Sequence, residues 1–86
     1  MDRQELERLL RDEGIDERAY SLDGGMPPER LCLALEGPRW VVYYSERGIR
    51  TGLHRFTSES AACQYLLTRL RDDPTTRSRS AYKADE

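Results

Sequence analysis

Long apolar runs, cysteine pairs, lysine and histidine are all scarce in this chain, and each scarcity removes a class of protein. No segment approaches the roughly eighteen consecutive apolar residues that a membrane-spanning helix needs. The opening stretch MDRQELERLL has none of the apolar core of a secretory signal. A cytoplasmic protein with no membrane association is therefore expected. Two cysteines in that setting, Cys32 and Cys63, read as reduced thiols and not as a disulfide framework. The net charge of 86 residues is only −2. A chain held to nucleic acid by counterion release normally shows a clear basic surplus, so such a partner is disfavoured. Lysine occurs once, at Lys83, and arginine supplies the other basic residues. GC-rich, actinobacterial-like codon usage accounts for such a bias, so it is not by itself a sign of anion recognition.

What is present is a pattern of short periodic segments separated by clear breaks. Leu6, Leu9 and Leu10 fall on one face of a helix over Asp2–Glu13, closed by Gly14. The run Asp23-Gly24-Gly25-Met26-Pro27-Pro28 is a strong breaker and predicts a loop. Leu31, Leu33 and Leu35 then alternate with Cys32 and Ala34, the period of a strand. Gly37-Pro38 turns the chain into Arg39–Ser45, whose β-branched and aromatic residues make it the strongest strand signal. Alternation there places Trp40, Val42 and Tyr44 on one face and Val41 and Tyr43 on the other. Glu46-Arg47-Gly48 predicts a second turn, and Ile49–Phe56 a third strand with a bulge near Gly52 that would bring Leu53 and Phe56 to one face. Thr57 is the expected N-cap of a second helix reaching about Arg71, with an apolar stripe of Ala62, Cys63, Tyr65, Leu66, Leu67 and Leu70.

The expected fold is α+β: a three-stranded antiparallel meander packed with two helices, in the order α-β-β-β-α. Residues 1–71 form the single domain, and the Ser/Thr/Arg-rich stretch 72–86 is expected to be a disordered tail. So small a core leaves homodimerisation through a sheet edge or an exposed aromatic patch open.

The chemistry-bearing residues do not assemble into a catalytic pattern. His54 has no partner close in sequence, and Cys32 and Cys63 lack the spacing of a zinc site. A Cys–His nucleophile pair remains an alternative, with nothing in the sequence to orient the imidazole. Asp23-Gly24-Gly25 lacks the preceding strand, the following helix and the lysine of a phosphate-binding loop. No catalytic residue, cofactor or metal is expected. The distinctive segment is Trp40-Val41-Val42-Tyr43-Tyr44-Ser45-Glu46-Arg47-Gly48, since Trp, Tyr and Arg dominate binding hot spots. Trp40, Tyr43, Tyr44, Glu46, Arg47 and Arg50 are the expected partner-binding residues, with Arg39 and Arg55 as further donors for an acidic partner. Rings stacking nucleic-acid bases on the sheet are the alternative.

Several segments together resemble small bacterial immunity-like proteins associated with polymorphic toxin loci. They are Tyr20-Ser21-Leu22-Asp23-Gly24-Gly25, Leu31-Cys32-Leu33, the Trp40–Gly48 run, Phe56-Thr57-Ser58-Glu59 and Ala62-Cys63-Gln64-Tyr65. The resemblance spans roughly residues 5–71, and Tyr43–Gly48 is its most specific part. It implies a protein that neutralises a cognate toxin by binding and needs no catalytic group. A nucleic-acid-binding or regulatory homo-oligomeric domain is the alternative function.

Overall fold

The computed structural model describes residues 1–76. Helix α1 spans Arg3–Asp12, with the Asp2 carboxylate capping it by accepting the Glu5 N–H. Strands β1 (Tyr20–Ser21), β2 (Arg30–Glu36), β3 (Arg39–Glu46) and β4 (Ile49–Phe56) follow, then helix α2 over Glu59–Arg71. A 3-10 turn at Glu17–Ala19 leads into β1, and another at Pro74–Thr76 follows α2.

The α+β class is as expected, but the sheet has four strands, in the order β1-β2-β3-β4. The extra strand is β1, which lies parallel to β2, with Tyr20 beside Leu31 and Ser21 beside Cys32. Two residues are too few to show a period, so the meander reading missed it. β2, β3 and β4 form the expected antiparallel meander. The β3–β4 turn has Arg47 at φ 51° and Gly48 at φ 75°. Positive φ at both central residues is the pattern of a type I′ turn, whose twist matches a hairpin.

Both helices cover one face of the sheet. Leu6, Leu10, Leu66, Leu67 and Leu70 pack there with Leu31, Leu33 and Val42, and Trp40, Tyr44 and Phe56 complete the layer from their half-buried positions. Cys32, Val41 and Tyr43 form a smaller buried cluster on the opposite face, joined by Ala34 and Leu53. The loop containing Gly24 and Gly25 lies over that cluster. The Tyr43 hydroxyl donates to the Gly25 carbonyl at 2.8 Å, and a Cβ on Gly24 would sit 3.0 Å from that of Ala34.

Two expectations shift in position. The N-cap of α2 is Ser58 and not Thr57, because the Ser58 hydroxyl reaches the Ala61 N–H at 3.1 Å. Residues 72–76 belong to the folded body and not to a disordered tail. Thr76 is buried, its hydroxyl donates toward the Leu70 and Asp73 carbonyls at 2.8 Å, and its own carbonyl accepts the Asp16 N–H at 2.6 Å. The rest of that expected tail, 77–86, lies outside the described residues. No helix among the described residues is long and apolar enough to cross a membrane.

Candidate functional site: the arginine face of the sheet

Strand alternation decides which side chains share the face that the helices leave free. From β2 these are Arg30, Cys32, Ala34 and Glu36, and from β3 Arg39, Val41, Tyr43 and Ser45. β4 would contribute on alternate positions only, so a regular strand would send Arg50 and Arg55 to opposite faces. The register shows otherwise. Arg50 pairs with Ser45 and Arg55 with Val41, so five steps along β4 match four along β3. The extra residue lies at Gly52, in the left-handed region at φ 61°. This bulge brings Arg50 and Arg55 to the same face. A bulge near Gly52 was expected from the sequence, but its effect differs: Leu53 packs with Val41 and Tyr43 while Phe56 packs under the helices.

Arg39, Arg50 and Arg55 therefore lie on one face, with Glu36 their one acidic companion on these three strands. Arg50 extends over the Tyr43 ring, its guanidinium carbon 4.3 Å from the ring centroid, and pairs with Glu36 at 2.6 Å. The guanidinium of Arg50 holds the Glu36 carboxyl below its ordinary value, and Arg55 acts in the same direction. Arg39 and Arg55 are exposed and form no ion pair within 4.0 Å among the described residues.

The six residues expected to bind a partner separate in space. Trp40 and Tyr44 lie on the helix-covered side, where Arg3 stacks over Trp40 at 5.5 Å. Tyr43 is fully buried on the arginine face. Glu46 and Arg47 sit at the β3–β4 turn, and Arg50 follows on the arginine face. Among the described residues that face consequently offers no exposed ring on which a base could stack. Glu36 was not singled out by sequence, although its even spacing from Cys32 and Ala34 places it there.

The nucleophile candidates are spread out. Cys32 and Cys63 are both fully buried, on opposite faces of the sheet. Burial raises the Cys32 thiol and pushes Cys63 up to about 11. His54 is exposed at the side of β4, its Nδ1 2.8 Å from the Gly52 carbonyl and 3.3 Å from the Tyr65 hydroxyl. Because a carbonyl only accepts, the short contact assigns the proton to Nδ1. Arg69 in turn donates to Tyr65 at 2.9 Å. No described group of three or more His, Cys, Asp or Glu residues could hold a metal ion. A cavity of about 350 Å³ has Tyr44, Glu29, Arg69 and Asp73 among its lining residues. Neither cysteine lines it.

Comparison with family models, with curated proteins and with solved structures finds no match to this chain in any of the three.

Proposed function

We propose that this chain is a non-catalytic protein-binding module that grips an acidic surface of a protein partner through its arginine face. The observation that carries the reading is the bulge-aligned set Arg39, Arg50 and Arg55, exposed around one acid. Arginine suits this role because its planar fork of donors matches a carboxylate in two-point contact.

Arg47 supports the same reading from backbone strain. A non-glycine residue at φ 51° costs about 1–2 kcal/mol relative to its relaxed conformation. Asn or Gly would occupy this turn position more comfortably. An arginine kept where the local backbone disfavours it is better explained by what its side chain contacts than by the turn.

The resemblance to immunity-like proteins gives the partner its class: a cognate bacterial toxin, neutralised in the cytoplasm by direct binding. The test is co-expression of this chain with a toxin-like domain taken from a neighbouring gene, followed by copurification and a growth assay. A stoichiometric complex and rescued growth are expected, both weakened by Arg39→Glu with Arg55→Glu. Unchanged binding in that double variant would remove the arginine face as the interface.

The nucleic-acid alternative would use the same arginines against phosphates. A gel shift that weakens steeply with salt would favour it. The burial of Tyr43 and the net charge of −2 weigh against it.

A further inference from the structure

This inference rests on the protein-binding reading above and concerns how the partner is held. We propose that β4 is the docking strand, and that an extended acidic segment of the partner adds to its outer edge as a fifth strand. Two carboxylates four residues apart on that segment would meet Arg55 and Arg50, the second by displacing Glu36, which holds the Arg50 guanidinium toward β2 at 2.6 Å.

Among the described residues β4 is the last strand of the sheet and pairs only with β3. None of its residues is buried; Leu53 and Phe56 are half-buried and the rest are exposed. A strand edge in that state presents unpaired backbone N–H and C=O groups to any chain that can lie alongside.

Charge selects the occupant. Between Ile49 and Phe56 the strand carries Arg50, His54 and Arg55 and no acid. A second copy pairing antiparallel about the strand centre would set Arg50 against Arg55, and like charges directly opposite each other destabilise a ladder. An acidic strand meets no such conflict. The register of β3 supplies the spacing, since its residues opposite Arg50 and Arg55 are Ser45 and Val41. A regular strand on the other side of β4 would match the same two arginines at the same interval of four. Its opposite face would run beside Ile49 and Phe56, so apolar residues belong there.

The competing account is that these arginines merely keep the edge from pairing with anything. The experiment uses the full chain, ¹⁵N-labelled, titrated to millimolar with an eight-residue peptide of Val and Thr carrying two glutamates four apart. One control peptide has lysines in their place, and another has the glutamates three apart. Shift perturbation along residues 49–56, slowed amide exchange there and preference for the four-apart glutamates are expected. Arg55→Glu, at an exposed position, should weaken that peptide by at least two- to fivefold, the scale of an exposed ion pair. The same variant should bind the lysine peptide better than the unaltered chain does.

No binding, binding without amide protection, or equal binding of all three peptides would each overturn strand addition. A toxin domain that still binds while the glutamate peptide fails would overturn it too, and would leave the protein-binding reading standing. Protected peptide binding without any toxin complex would support strand addition and remove the toxin as the partner.

Discussion

Ser45 and Tyr43 are two residues apart on the same face of β3, and their hydroxyls have opposite fates. The Tyr43 hydroxyl donates to the Gly25 carbonyl at 2.8 Å, whereas the Ser45 hydroxyl is buried with no hydrogen-bond partner among the described residues. Tyr43→Phe should therefore cost about 1 kcal/mol in urea unfolding and speed amide exchange in the Gly24–Gly25 loop. Ser45→Ala removes an unsatisfied polar atom and should be neutral or stabilising by up to about 1 kcal/mol in the same assay. Arg47→Asn should separate stability from binding. The melting curve should shift upward by about 1 kcal/mol as the turn strain is relieved, while affinity for the partner falls. A variant that gains stability and keeps full affinity would show that Arg47 is only a turn residue. At this scale the sequence was legible in part, because alternation alone sorts Trp40, Val42 and Tyr44 from Val41 and Tyr43. It does not say which face a distant loop will cover, so the burial of Tyr43 beneath Gly24 and Gly25 was out of reach.

Elements with a long, regular period were the readable ones. α1, β2, β3 and α2 fall within a residue or two of their expected bounds because each repeats its pattern several times, and β4 does so because the Glu46–Gly48 turn and the cap of α2 bracket it. β1 has no period to read, and its parallel pairing with β2 depends on where the chain returns after the Gly-Pro loop. The turn at Pro74–Thr76 escaped because composition suggested a tail, while four hydrogen bonds of Thr76 tie it down. The caps of the two helices make a matched test. Asp2→Ala and Ser58→Ala should each cost about 1 kcal/mol, and Thr57→Ala should cost much less, because Ser58 supplies the cap. A larger loss at Thr57 than at Ser58 in thermal unfolding would move the helix start back one residue.

The molecule as a whole is tied from its first helix to its last. Arg3 bonds through its backbone N–H to Glu59, and Glu13 pairs with Arg71. Cys63 lies inside this arrangement, and burial lifts its thiol from 9.0 to about 11. The folded state thus keeps the proton longer than the unfolded state does. The associated stability is fully present below pH 9.0 and is lost as pH rises toward about 11. Cys63→Ala should lower stability at pH 7 through the cavity it leaves, yet flatten the decline between those two pH values in denaturant titrations. In the folded protein both thiols should resist alkylation at pH 8 and react fully in denaturant.

The residue inserted at Gly52 has a consequence that no tally of composition would register. It acts as a phase shift, so a strand with all the same letters that pleated regularly through Gly52 would keep its charge and composition, yet turn one arginine to the wrong side. Recognition by this strand then hangs on one backbone torsion: Gly52→Val, which disfavours φ 61°, should split the arginine pair, whereas deleting Gly52 should leave both arginines on one face.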